Sequence, residues 1–144
     1  MTTQDYAHHT RLVPLFHGVL AGLLLLTLIG SIVNLVHEIG VGHGRGNAVL
    51  LVLLTISGGL LFFFCRTFPL KAQDRAIRAE ENLRHFALTG KLLDPRITMA
   101  QVIALRFAPD DEFVPLAKKA AETNMSNDEI KRAVKNWRAD EHRA

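Results

Sequence analysis

The chain has 144 residues and a formal net charge of +3 at neutral pH, and 49% of its residues are hydrophobic against 22% that are charged. The charged residues are unevenly distributed, since 15 of the 17 Lys and Arg residues and 12 of the 14 Asp and Glu residues lie at or after Arg66. This separation of apolar and charged halves argues against a single soluble domain. The single cysteine, Cys65, excludes a fold held together by intrachain disulfides and fits a polar half in a reducing compartment.

Two uncharged apolar stretches, Leu12 to Val36 and Ala48 to Cys65, dominate the first half of the chain. They contain 25 and 18 residues, and a helix needs roughly 20 residues to cross a hydrocarbon core of ~30 Å. We therefore predict a transmembrane helical hairpin over residues 12–66, with spans at about 12–36 and 47–66. The first stretch is too long for the apolar region of a cleaved signal peptide, which has roughly 7–15 residues.

Basic residues predict the orientation of the two spans. Five of them follow the second span closely: Arg66, Lys71, Arg75, Arg78 and Arg84. The connection between the spans contains only Arg45, which Glu38 opposes. By the positive-inside rule, residues 1–11 and the half after the second span are expected in the cytoplasm. The sequence thus predicts a multi-pass protein of the plasma membrane with both termini cytoplasmic.

Four glycines are predicted to form a helix-packing face: Gly18, Gly22, Gly58 and Gly59. Gly18 lies seven residues after Arg11 and Gly59 lies seven before Arg66, so both are expected ~10 Å below the same membrane surface. Small residues allow two helix backbones to approach closely in lipid. The sequence leaves open whether this contact forms within the hairpin or between copies of the chain.

His17 is the ionisable residue embedded in an apolar span. Such a residue is a candidate for function by default, for example as a proton-linked switch. The alternative, which we favour, is a neutral imidazole near the interface that is hydrogen-bonded to Thr67, Gln73 or a lipid headgroup. The outer connection contains two histidines and Glu38, but its flexible glycine-rich spacing is not that of a metal site. We expect no metal and no other cofactor.

Residues 67–89 are predicted to continue the second span as a helix into the cytoplasm. Small and apolar residues form one helical stripe along it: Ala72, Ala76, Ala79, Leu83 and Phe86. The remaining surface is charged, and Asp74 with Arg78 and Glu80 with Arg84 have the spacing of favourable ion pairs. Its basic residues near the membrane are also candidates to bind anionic lipid headgroups.

Residues 90–144 are predicted to form a small domain of three short helices. Capping boxes at Thr98 and Ser126 open the first and the last helix, and Pro109 followed by acids opens the second, which should end near Thr123. The first helix is expected to run through Phe107. The last is expected to carry Ile130, Val134 and Trp137 on one face and basic side chains on a neighbouring one. The candidate partner-binding residues are Lys131, Lys135, Trp137 and Arg138.

The matching depths of the span ends predict a polar cluster at the cytoplasmic mouth of the hairpin, where both spans leave the membrane. Its candidate members are Arg11, His17, Gln73, Asp74 and Arg75. Asp74 is expected to pair with Arg11 or Arg75, and His17 is expected to respond to the state of that pair.

We predict no enzymatic activity, because the sequence contains no nucleophile elbow, kinase signature, P-loop or cysteine cluster. The prediction is an all-α membrane-anchored interaction or accessory subunit whose cytoplasmic helices dock a protein partner or a further copy. An oligomeric channel or transporter subunit is the alternative, although polar residues form only a short stripe at Thr27, Ser31 and Asn34. A membrane-tethered nucleic-acid binder is the third reading, and the acids that flank the last helix argue against it.

Four segments carry a family resemblance: residues 9–17 (HTRLVPLFH), 70–81 (LKAQDRAIRAEE), 101–108 (QVIALRFA) and 130–140 (IKRAVKNWRAD). In these segments the chain resembles a family of small bacterial membrane proteins that is classed as a domain of unknown function and numbered 6526. The resemblance implies a bacterial inner-membrane protein with two spans and a cytoplasmic tail. It implies no activity.

Overall fold

A computed structural model describes Tyr6 and residues 13–140. All regular structure in these residues is helical, which confirms the predicted all-α class. The elements in chain order are a π-helical turn at Leu15–Leu20, α1 at Ala21–Val41, α2 at Arg45–Thr89, α3 at Met99–Leu105, α4 at Asp110–Thr123 and α5 at Asn127–Ala133.

The chain divides into two compact units, and the division falls within α2 between Phe68 and Pro69. The apolar unit contains the described residues 13–68, and the C-terminal unit contains residues 69–140 together with Tyr6. Proline lacks the backbone N–H that a helix interior uses, yet α2 continues through Pro69. The residues predicted as the second span and as the juxtamembrane segment therefore belong to one helix.

The apolar unit consists of two helices that are long and apolar enough to cross a membrane by length and composition. Phe16 stacks on Phe62 with ring centroids 4.3 Å apart, and Leu24 packs against Gly58. From Phe16 in the π-helical turn to Leu24 in α1, the contacted residue in α2 moves back from Phe62 to Gly58, so the two segments run antiparallel. Among the described residues of this unit, Ser31 and Ala48 are the buried ones, and most apolar side chains face outward.

The connection between the two apolar helices is shorter than the sequence predicted. α1 continues to Val41, where Gly42 adopts a left-handed φ of 87° and its N–H donates to the carbonyl of Glu38 at 3.0 Å. This is the usual C-terminal cap, which favours glycine because a Cβ is strained at positive φ. α2 begins at Arg45, so residues 42–44 alone connect the helices.

The core of the C-terminal unit lies between α2 and the three short helices. Its largest fully buried side chains are Phe107, Phe113, Ile97, Leu105, Ile130 and Val102. Both predicted capping boxes are present, at Thr98 with Gln101 and at Ser126 with Glu129. α4 spans Asp110–Thr123 as predicted. The local signals at the helix starts were therefore reliable.

Two of the predicted helix ends are wrong. α3 ends at Leu105 rather than Phe107, and α5 ends at Ala133, so Trp137 is not on a helix. The cause at α5 is Glu112, whose carboxylate accepts the backbone N–H groups of Lys135 at 2.8 Å and Asn136 at 3.1 Å. These N–H groups are no longer available to carbonyls one turn earlier, and the chain leaves the helix as an extended tail.

Candidate functional site

The face of α2 that meets the core is not its apolar stripe. Leu83 and Phe86 are 68% and 51% exposed, and the three alanines of the stripe are exposed as well. The buried side chains are instead Ile77 and Glu81, which lie roughly on the opposite side of the helix. The C-terminal unit therefore packs on α2 through a face that contains charged residues.

That face carries a charge cluster with a buried centre, here called the Glu81 cluster: Glu81, Arg84, Asp110 and Arg138. Glu81 is 5% exposed, and its carboxylate lies 3.0 Å from the guanidinium of Arg84 and 3.9 Å from that of Arg138. Arg84 also donates to Asp110 at 2.7 Å and to the carbonyl of Ala108 at 2.8 Å. Several hydrogen bonds thus compensate for the removal of the central charges from water.

The aromatic core supports the same cluster. The guanidinium of Arg84 lies 4.3 Å from the ring centroid of Phe113, which is fully buried. A guanidinium over an aromatic face gains a cation–π attraction and covers apolar surface with its own flat face. The arginine therefore belongs to the core as well as to the charge network.

The Glu81 cluster borders a cleft of about 570 Å³, which Glu80 and Pro109 complete. A second cleft of about 360 Å³ shares the Glu81 and Arg138 side chains. Because the arginines are already bound to carboxylates and a carbonyl, the clefts offer mixed charge rather than a free cationic site. Their chemistry fits the locking of helices together better than the binding of a small anion.

The extended tail after α5 closes over this region. The ring of Trp137 lies 4.6 Å from that of Phe107, and the backbone N–H of Arg138 donates to the Phe107 carbonyl at 2.8 Å. Arg106 and Asp140 form an ion pair at 3.2 Å. The predicted basic and aromatic face of a last helix is therefore wrong for Trp137 and Arg138, which pack onto their own unit.

Lys131 and Lys135 complete the set of candidate partner-binding residues. Lys131 lies on α5 and Lys135 lies on the exposed surface of the tail. A partner-binding role for the four residues stays a prediction. The four side chains cannot act as one helical face, however, because α5 ends at Ala133 and only Lys131 lies on it.

The predicted cluster at the cytoplasmic mouth is divided between the two units. Arg11 lies outside the described residues. His17 lies in the π-helical turn, where its Nδ1 is 3.1 Å from the backbone N and O of Val13. Gln73, Asp74 and Arg75 lie on α2 in the C-terminal unit. The joint cluster therefore stays a prediction.

Both ion pairs that the spacing along α2 predicted are wrong within the described part of the chain. Arg84 pairs with Glu81 and Asp110 and not with Glu80. No ion pair joins Asp74 to Arg75 or Arg78 in these residues. Spacing along one helix cannot anticipate an acid that a different helix supplies.

The four glycines differ in their surroundings. A Cβ on Gly58 would lie 3.2 Å from Cδ2 of Leu24, so this glycine allows the close approach of α1 and α2. A Cβ on Gly18, Gly22 or Gly59 would meet no atom within 4 Å in the described structure. Within the described structure these three glycines make no close helix contact, and their packing role stays a prediction.

Tyr6 makes a contact that no sequence pattern indicated. Its hydroxyl donates to Asp128 at 2.6 Å and accepts from Arg132 at 3.1 Å, and the guanidinium lies 5.1 Å from the tyrosine ring centroid. The Tyr6 hydroxyl lowers the pKa of Asp128, and the positive charge of Arg132 lowers it further. A separation of 122 residues leaves no local pattern for such a pair.

One family model matches the chain over residues 1–144, and it describes a family of unknown function, DUF6526. No curated protein and no solved structure matches the chain. The family resemblance seen in the four sequence segments is thereby confirmed. It brings no activity with it.

Proposed function

The chain belongs to this family of unknown function, and from that premise we propose that it is a two-span integral protein of the bacterial inner membrane with a cytoplasmic docking module. In this proposal, α1 and the apolar part of α2 anchor the protein as a hairpin. The C-terminal unit holds a partner at the membrane surface and performs no reaction of its own.

The observation that carries the membrane assignment is the exposure of the apolar helices. The exposed large apolar side chains range from 46% exposed at Ile32 to 67% at Leu26 in α1, and from 41% at Phe64 to 69% at Leu54 in the apolar part of α2. The core helix of a soluble protein has a similar composition, but it is mostly buried by its own chain. Soluble proteins rarely expose continuous apolar surface of this length. Lipid covers such a surface, and a helix satisfies its own backbone hydrogen bonds there.

Tyr6 supports a location of both termini on one side. This residue precedes the first apolar helix, and it bonds to Asp128 and Arg132, which follow the second. A chain that crosses the membrane twice returns to the side from which it started, so this contact is compatible with two spans. The basic residues after the second span favour the cytoplasm as that side.

A docking role is supported by the apolar side chains that the C-terminal unit leaves exposed. Outside the stripe of α2, Leu88 and Leu92 are 45% and 66% exposed, although this unit has a well-formed core of its own. Such surface marks protein or membrane contacts. The channel alternative has less support, because the hydroxyls of Thr27 and Thr55 donate to carbonyls of their own helices.

Cysteine labelling in intact cells tests the topology. In a Cys65→Ser background, His43→Cys in the connection should react with a membrane-impermeant maleimide added outside. Thr3→Cys and Lys135→Cys should react only after the cells are opened. External labelling of either of the latter variants would overturn the two-span topology, as would extraction of the chain by alkaline carbonate.

The docking role is tested by purification of the tagged full chain in mild detergent. A foreign protein in fixed stoichiometry, lost on deletion of residues 90–144, is the expected result. A closed ring of identical copies that conducts ions in bilayers would favour the channel alternative and overturn the docking role.

A further inference from the structure

The exposed stripe of α2 has the spacing of a coiled-coil seam. Its five residues follow one another at intervals of four, three, four and three: Ala72, Ala76, Ala79, Leu83 and Phe86. This is the heptad repeat, in which apolar a and d positions recur every 3.5 residues on average and meet the same positions of a neighbouring helix. Ala76 and Leu83 take the a positions, and the other three take d.

No described residue covers this seam, although Ala76 borders the cleft beside the tail. Ile77 and Glu81 bind the core from the other side of α2, and the seam residues stay exposed. Its two large members are among the most exposed apolar side chains of the C-terminal unit, with Leu83 at 68% and Phe86 at 51%. Water contact at these side chains is unfavourable, and a partner that covers them gains the corresponding hydrophobic free energy.

We propose that the occupant of this seam is the same seam of a second copy of the chain, with the two α2 helices parallel and in register. A 3.5-residue repeat is self-complementary when two identical helices face each other across a two-fold axis. The alanines allow the helices to approach closely at the start of the seam, and Leu83 and Phe86 interlock at its end.

Charges beside the seam select the parallel arrangement. Arg75 occupies the position before Ala76 and Glu80 the position after Ala79, which are g and e of the heptad. In a parallel pair, g of one helix reaches the e residue five positions later on the other helix. Arg75 of each copy therefore meets Glu80 of its partner, and the two-fold axis produces two such ion pairs. In an antiparallel pair, g faces g and e faces e, and these opposite charges do not meet.

Within one chain, the same two residues have no such contact. Five residues correspond to roughly 140° around a helix, so Arg75 and Glu80 do not face each other on α2. Both side chains are exposed, and neither forms an ion pair among the described residues. Copies inserted in the same direction also present their α2 helices in parallel. That last argument rests on the proposed membrane topology, whereas the repeat and the charges do not.

Disulfide cross-linking of the full chain tests the seam. In a Cys65→Ser background, Ala72→Cys and Ala79→Cys each place a thiol at a d position near the two-fold axis. Lys71→Cys is the matched control, because it is also exposed and adjacent to Ala72 but lies roughly 100° around the helix. Oxidation in detergent or in proteoliposomes should give several-fold more covalent dimer from both seam variants than from the control. Equal yields would overturn the seam, and so would a foreign protein cross-linked at position 79.

Charge reversal tests the direction and the register. In the Ala79→Cys variant, Arg75→Glu alone should lower the dimer yield several-fold, and so should Glu80→Arg alone. Each single reversal places like charges across the seam. The two reversals together should restore the yield. Unchanged yields with the single reversals, or a yield that stays low with both, would overturn the parallel arrangement.

Thermal unfolding distinguishes a loss of the dimer from a loss of the fold. Both reversed residues are exposed, so the thermal unfolding of the C-terminal unit should remain unchanged and any loss of dimer is not a loss of fold. Cross-linking also reports on the seam whatever the maleimide labelling shows about topology. Failure of the seam and failure of the membrane proposal are therefore distinguishable.

Discussion

Glu81 and Arg84 form a buried ion pair on the face of α2 that binds the core, with Oε2 and Nη1 3.0 Å apart and both side chains almost inaccessible to solvent. Removal of charges from water is costly, and the cost is compensated only when each charge is paired and hydrogen-bonded. Here Asp110 and the Ala108 carbonyl complete the shell of the guanidinium. The pair thus links α2 to the start of α4.

Loss of the Glu81 charge should strongly destabilise the C-terminal unit. Glu81→Gln keeps the shape of the side chain but leaves the buried guanidinium of Arg84 without its buried counter-charge. We expect a loss of about 3 kcal/mol in the free energy of unfolding. Urea unfolding followed by the fluorescence of Trp137, the single tryptophan of the chain, measures this unit selectively. The matched control Glu122→Gln is exposed and should leave the midpoint unchanged; equal midpoints for both would contradict the prediction.

Trp137 should contribute to stability and not only to partner contact. Its ring packs against that of Phe107 at an interplanar angle of 30° and closes the tail over the core. Trp137→Ala removes this aromatic contact from a partly buried site, so we expect a loss of about 2 kcal/mol in unfolding free energy. Circular dichroism at increasing urea measures it. Lys135→Ala is the control, since its backbone N–H bond to Glu112 survives the substitution. A variant at position 137 as stable as this control would show that the indole serves only an external contact.

The two capping boxes should differ in their importance. Gln101 is 4% exposed; its Oε1 accepts from the Thr98 N–H at 2.8 Å, and its Nε2 donates to the Met125 carbonyl at 2.7 Å. Gln101→Ala removes a buried side chain and breaks two part-buried hydrogen bonds, with an expected cost of about 2 kcal/mol. The matched change Glu129→Ala affects an exposed cap and should shift the Trp137 unfolding midpoint less. The reverse order of the two midpoints would contradict this assignment.

The stability of the C-terminal unit should fall in acid because of Glu112. The backbone N–H of Lys135 lowers the pKa of this carboxyl below its usual 4.5, and the N–H and side chain of Asn136 lower it further. A carboxyl with a lowered folded pKa stabilises the fold above its unfolded pKa, and this contribution is lost as the pH falls through the folded pKa.

The measurement compares wild type with Glu112→Gln between about pH 7 and about pH 3. The difference between their Trp137 unfolding midpoints should be constant above about pH 5 and shrink below about pH 4.5. A difference that does not change with pH would show that the charge of Glu112 does not hold the tail.

Several elements of the fold followed from short stretches of sequence. Thr98 and Ser126 each stand three residues before the side chain that completes their capping box, and both helices begin there. Pro109 and the acids after it likewise mark the start of α4. Such signals are reliable because the atoms that they join lie within one helical turn.

The helix ends depended on more distant residues. Lys135 continues the helical pattern of α5, but its N–H bonds to Glu112, which is 23 residues earlier. A carboxylate that arrives from another helix competes with the carbonyls of the last turn. No periodicity within α5 reports that competition, and the predicted helix was therefore too long.

Two apolar helices and the starts of three short helices could be inferred from the sequence, since each depends on the local order of residues. The buried face of α2 could not. Its apolar stripe at Leu83 and Phe86 indicates a surface that favours contact, but not which surface covers it. The core instead binds the side of Glu81 and Arg84, because Asp110 and Ala108, 26 and 24 residues after the arginine, satisfy it once the chain has folded. A charged face can be buried when other parts of the chain supply its ion-pair and hydrogen-bond partners. Only the tertiary structure brings those residues together.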